Sequence, residues 1–484
     1  MKYKIRVLSP LHIGCGETYN GLSYVIDGDR LCFIPPERFI ELLGDKVNDF
    51  VAWIDENANR IDRLENEKNS VRNDQEKRKA IDNKLRPIKN SFNLKNFIKD
   101  PDNKRSDIKN VSLYSVRLSG SIFDSTDINA FIKQMGQVYI PGTEVKGAMR
   151  TAIFYCVLFD DETIYSQLKT QIQNFGNKYR FLIDAVKNQN NLRKQLRNIV
   201  TGSIPPDFVR YSNWNLGKIK NEVLCNGMEK IAANIENLIF NAKGGSSQDA
   251  KYDVLKYLYV GDSNMRRPDD VLSIARVEPF RSSKPFRIYN EIVIPGTEFI
   301  MTDLKVAGDR ERDKKMDKID FNENQKGIVG SIGSILNCCY RFSKDLIKEE
   351  IDYFERNDKK DIVSGLKRLS ALNREDSPVL RIGKDEGFLS VTVALAVKNK
   401  DFDLYKNTLI HAIKGKSYEN PLMPKTRKIV QYGDREYTSG WIQITKHAVD
   451  EKYSKSSPSS EKKTFSAEKD KVDTTPLFDK YGRR

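Results

Sequence analysis

The stretch Ile140-Pro141-Gly142-Thr143-Glu144-Val145-Lys146-Gly147-Ala148-Met149-Arg150-Thr151-Ala152 runs from a proline–glycine turn straight into a segment of helical period. Val145, Ala148, Met149, Ala152, Ile153, Cys156 and Val157 form one apolar stripe, and Thr143 is placed to cap the helix start. Lys146 and Arg150 stand one turn apart on the other face. A helix start presents unpaired N–H groups and the positive end of the dipole, and a glycine there lets a phosphate approach. Two readings stay open: a phosphate seat built from Gly142, Thr143, Lys146 and Arg150, or a capped core helix with solvated cations.

Part of the stretch returns as Ile294-Pro295-Gly296-Thr297-Glu298, followed by Phe299-Ile300-Met301, which alternates as a strand does. The echo is expected to turn a hairpin and not to repeat a ligand site. Around the two copies the chain shows strands, then helix, then strands, twice over. Lys2 to Leu8 place Tyr3, Ile5 and Val7 on one face, and Asp27-Gly28-Asp29-Arg30 joins two further strands as a hairpin turn. Val111 to Leu118 and Gln137 to Ile140 continue the first block. In the second, Val254 to Val260, Val271 to Val277, Phe286 to Ile294 and Glu298 to Leu304 read as strands. Ile328 to Glu355 reads as a helix, Val379 to Ile382 with Phe388 to Val397 as a hairpin, and Arg427 to Tyr432 and Trp441 to Thr445 as the last strands.

This pattern predicts an α+β protein with one sheet-plus-helix domain over 1–240 and another over 241–450. Residues from about Asp55 to Asp107 are charged and carry too few apolar positions for a full core, so they read as a helical insertion. Lys243 to Gln248 reads as a flexible loop and 451–484 as a disordered tail.

Lys plus Arg outnumber Asp plus Glu by 82 to 67, a formal charge of +15, which points to polyanions and nucleic acid first. The cysteines show no C-x-x-C spacing and read as reduced thiols of a cytoplasmic protein; no metal-ligand cluster and no cofactor motif is visible. No apolar run reaches the roughly 20 residues of a membrane helix. Only His12, His411 and His447 are available for histidine chemistry, and His12 sits in a Gly-flanked bend where a structural imidazole is the commoner role. The loop Gly383-Lys384-Asp385-Glu386-Gly387 lacks the ending of a Walker P-loop, and its two carboxylates count against phosphate. Lys425, Arg427 and Lys428 form a basic cluster with Tyr432 and Trp441 nearby, a combination that can join phosphate neutralisation to base stacking.

The opening stretch resembles the IPG-S/T-x-x-KGA-x-R segment of CRISPR-associated RAMP proteins, and Ser9-Pro10-Leu11-His12-Ile13-Gly14 resembles their amino-terminal segment. Arg381 to Ser390 looks like the family's glycine-rich loop, and Pro424-Lys425-Thr426-Arg427-Lys428 followed by Gly440-Trp441 looks like the closing segment of one subgroup. Their order and spacing resemble the fifth-subunit family of the type III-A Csm complex. The resemblance implies tandem ferredoxin-like, RRM-like domains and a place at one end of a guide-RNA complex, over the 3′ portion of the crRNA and beside the backbone RAMP subunit. It implies crRNA and other Csm subunits as partners, with target RNA and a maturation nuclease open as further ones. It also adds Arg381, Gly383, Lys384, Gly387, Lys425, Arg427 and Lys428 to the residues expected at RNA. A non-catalytic RNA-binding subunit is the leading expectation; an endoribonuclease that processes crRNA precursors and a protein scaffold are the alternatives.

Overall fold

Alternation along Lys2–Val7 buries Tyr3, Ile5 and Val7 and makes the segment an inner strand. It pairs antiparallel with Glu298–Met301 on one side and Trp441–His447 on the other, and Val379–Arg381 completes a four-stranded sheet. The structure, a computed structural model, describes residues 2–98, 110–187, 216–242, 249–281, 286–410, 412 and 426–447. The predicted loop at Lys243 to Gln248, the tail 451–484, His411, Pro424 and Lys425 lie outside the described residues.

A second, nine-stranded sheet runs in the order Gly14–Tyr19, Ile128–Phe131, Ile288–Val293, Leu272–Phe280, Tyr114–Leu118, Arg30–Phe33 and Tyr24–Asp27. It forks at Leu272–Phe280: Ser273 and Ile274 pair parallel with Arg117 and Leu118, and the edge then passes to Arg427–Tyr432, which carries Arg435–Tyr437. The protein is α+β. Residues 1–447 cluster as one unit, and both sheets draw strands from each side of residue 240. The main core joins the strands to the helices Gly142–Asp160 and Ile332–Glu355, which pack against each other.

The hairpin at Asp27 to Arg30 forms as read, with Gly28 at φ +62°. The insertion folds into the antiparallel helices Val47–Ser70 and Gln75–Ser91, the second capped by Asp74. Phe39, Phe50, Leu94 and Ile98 give it a small core beneath Val25 and Ile34. Lys68–Asp82 and Lys89–Glu65 pair across it, contacts exposed enough to add little stability. Among the described residues no helix is long and apolar enough to cross a membrane.

Several expectations need correction. The helix begins at Gly142, with Pro141 as the cap residue, so Thr143 is the second helical residue and caps nothing. Pro295 and Gly296 form a β-turn, with Thr297 N–H donating to Ile294 O and Gly296 at φ +92°, yet the flanking strands belong to different sheets and make no hairpin. Phe388 to Val397 is not a strand: Gly383, Asp385 and Gly387 all take positive φ, the chain coils, and a helix follows at Ala394–Lys400. Val254–Tyr257 is a 3-10 turn before the short strand Leu258–Val260, started by the Asp253 side chain accepting from Leu255 N–H. The long helix expected from Ile328 breaks into Glu323–Ile328 and Ile332–Glu355, because Ser331 caps the second by accepting from Ser334 N–H.

Candidate nucleic-acid interface

The opening stretch reaches its position because a glycine starts the helix. A Cβ on Gly142 would lie 2.2 Å from Val260 O, so the close approach that glycine permits is made by the protein's own backbone. The Gly142 N–H donates to Asp262 Oδ1 at 2.8 Å, so a carboxylate already sits at the electropositive helix start. Ile140 and Ser263 hold the same strands together through Ile140 N–H to Ser263 Oγ and Ser263 N–H to Ile140 O. Lys146 is half-buried and donates to Leu258 O at 3.0 Å, and burial lowers the pKa of its ammonium. Arg150 bonds Glu236 and Asp253 and lies 4.1 Å above the Phe240 ring. Thr143 is exposed.

Three other motifs converge, although they are distant in sequence. Gly440 N–H donates to Pro10 O, Trp441 N–H to Ser9 Oγ, Ile382 N–H to Gly440 O and Lys384 N–H to His12 O. Two glycines make this convergence possible. Gly383, at φ +85°, would put a Cβ 2.5 Å from His12 O; Gly440, also at +85°, would put one 2.3 Å from Ile382 O. Lys384 stands exposed at the edge, and Gly387, exposed at φ +88°, faces open space.

The loop's two acids are less negative than the sequence reads. Lys428 Nζ bonds Asp385. Burial pushes Glu386 up to about 8, with nearby Glu144 adding and Arg381 opposing. The Glu144 contribution also places the glycine-rich loop within electrostatic reach of the opening helix.

Arg427 of the closing cluster and Arg381 of the glycine-rich loop serve the interior. Arg427 Nε donates to Glu350 Oε1 at 2.7 Å, and Arg381 Nη1 faces Glu350 Oε2 at 3.7 Å, an ion pair too long for a hydrogen bond. Arg381 Nε donates to Ser439 O. Trp441 is fully buried, with its indole N–H donating to Thr438 Oγ1, so it offers no ring to a base.

His12 is 2% exposed. Its Nδ1 lies 2.7 Å from Glu291 O, which fixes the proton on Nδ1 and leaves Nε2 an acceptor. Burial pulls the imidazole down to about 4, so it is neutral near pH 7. The Glu291 carboxylate beside it accepts from Tyr114 OH, Phe131 N–H and Lys133 Nζ. This arrangement braces the bend more than it presents an acid or base.

Sequence reasoning missed Asp262, which occupies the helix start, and Glu236, Asp253 and Glu350, the carboxylates that hold the arginines. None lies at a readable spacing from its partner, and only the fold supplies the pairing.

The chain matches the RAMP superfamily over residues 4–466. It is 24% identical over 473 residues to a protein of Methanocaldococcus jannaschii described as "CRISPR system Cms protein Csm5", covering 92% of this chain and 88% of that one. Its fold is similar to the solved structure "Crystal structure of T.onnurineus Csm5", with TM-score 0.56, 17% identity, and 91% and 99% of the two chains covered. It is similar also to a chain of "Cryo-EM structure of Csm-crRNA-target RNA ternary complex in type III-A CRISPR-Cas system", with TM-score 0.58, 18% identity, and 92% and 100% covered. The match spans both sheets and every motif described above, and the chain belongs to the RAMP superfamily.

Proposed function

We propose that this protein is a non-catalytic RNA-binding subunit of a type III-A CRISPR ribonucleoprotein. It acts in the cytoplasm, in antiviral defence. It covers the 3′ portion of the crRNA, adjoins the backbone RAMP subunit and supports maturation of the guide, with target RNA within reach of the same assembly. The halves 1–240 and 241–450 act as its two RAMP-like units, joined by exchanged strands. The similarity to Csm5 proteins and to a chain of a Csm–crRNA–target RNA complex supports the assignment.

One observation carries the RNA contact: in the glycine-rich loop Asp385 is neutralised by Lys428 and Glu386 by burial, while the Lys384 ammonium has no partner among the described residues. A phosphate backbone can therefore pass along Lys384 and Gly387 without meeting a full negative charge from the loop's own acids. Lys146, Arg150, Arg381, Arg427 and Lys428 support that surface from behind. The neutral, buried His12 favours the non-catalytic subunit over the endoribonuclease alternative. Purification from the native host tests the reading: guide RNA and other complex subunits should co-purify, and recovery of the chain alone would overturn it.

A further inference from the structure

The helices Gly142–Asp160 and Ile332–Glu355 pack together and bring Cys156 of the first against Cys338 of the second. Cys156 Sγ donates to the Cys338 backbone oxygen at 3.7 Å, which sets the Cys156 sulfur directly against the Cys338 residue. One turn further on, Arg341 grips Asp160 with two bonds of 2.7 Å, which fixes the register of the pair. Lys400 adds a clamp by donating to Leu158 O and to Glu162. Cys156 is 2% exposed, whereas Cys338 is only partly buried, so a small oxidant reaches Cys338 first.

We propose that Cys156 and Cys338 are an oxidation site that a hydroperoxide converts into a disulfide, locking the two central helices together. Cys338 is the attacking sulfur. The neighbouring Cys156 thiol lowers its pKa and the Arg341 guanidinium acts in the same direction, while the pKa of Cys156 is raised. The Cys338 thiolate takes one oxygen of hydrogen peroxide, the O–O bond breaks, and the released hydroxide leaves as water after protonation by solvent. The sulfenic acid so formed is attacked by the Cys156 sulfur. Its S–O bond breaks, and the thiol proton departs with the hydroxide as a second water. Two electrons pass from the sulfur pair to the peroxide, and a dithiol reductant reverses the process.

The test uses the full chain, treated with hydrogen peroxide or with dithiothreitol, then alkylated, digested and analysed by mass spectrometry. The expected product is a peptide containing Cys156 linked to one containing Cys338, lighter than the two thiol peptides by about 2 Da and lost on reduction. Cys338→Ser should abolish the link and Cys339→Ser should keep it. Fragmentation between Cys338 and Cys339 in the wild-type peptide assigns the bridge without relying on either variant folding. A bridge between Cys338 and Cys339, a link that survives Cys338→Ser, or Cys338 oxidised to sulfinic acid while Cys156 stays alkylatable would each overturn the proposal.

Discussion

Asp262 Oδ1 accepts the Gly142 N–H at 2.8 Å, and with that bond the protein's own carboxylate occupies the helix start where the sequence invites a phosphate. Asp262→Ala removes the acceptor and its favourable charge at the dipole, so the chain should lose about 1 kcal/mol of stability. Urea unfolding checks this. An unchanged midpoint would show that the carboxylate is dispensable and the helix start available.

Glu350 is the shared counter-charge of Arg381 and Arg427 in the interior. Glu350→Gln removes the carboxylate that two buried guanidinium groups share, and a loss of about 3–5 kcal/mol is expected from breaking a buried ion pair. Arg427→Ala should cost nearly as much. If either substitution were thermally silent, these arginines would be free to serve RNA.

Lys384 and Arg150 should separate binding from stability. Lys384→Ala is expected to leave the melting temperature unchanged, weaken single-stranded RNA binding, and reduce the slope of log affinity against log salt by about 1. Arg150→Ala strands Glu236 and Asp253 and should lower the melting temperature instead. Fluorescence anisotropy across a salt series, paired with thermal melts, decides; equal RNA affinity for wild type and Lys384→Ala removes the glycine-rich loop from the interface.

His12 and Glu386 should give opposite pH dependences. The unfolded chain protonates His12 near 6.5 and the native chain only near about 4, so its contribution is present above 6.5 and is lost as pH falls through that window. The loss is on the order of 3 kcal/mol, and His12→Asn should not show it. Glu386 ionises near 4.5 when unfolded and near about 8 when native, so it costs stability as pH rises through that interval. Glu386→Gln should therefore be more stable than wild type at pH 8.5 and indistinguishable at pH 4.5. Parallel pH profiles for wild type and either variant would contradict these assignments.

The strands that alternate in sequence were legible, because period-2 burial at Tyr3, Ile5 and Val7 is a local property. So was the charged insertion, whose few apolar residues can build only a small core. The glycine-rich loop was misread after Gly387 because positive φ at Asp385 leaves no trace in residue type. The motifs were recognisable as segments, but the interior roles of Arg381 and Arg427 depended on Glu350, far away in the chain. Charge counted along a sequence does not reveal which cations face water.

Lys2–Val7 has its two neighbours far ahead of it in the chain, Arg6 pairing with Glu298 and Lys2 with His447. During synthesis, the inner strand of that sheet therefore waits, with Tyr3, Ile5 and Val7 uncovered, until most of the polypeptide has left the ribosome. Pairing across such separations carries a large loop-closure entropy and makes for slow folding. Truncation before residue 441 removes not an appendage but the strand that closes the sheet around its earliest member, so shortened products should go to the proteolytic machinery and not into assemblies.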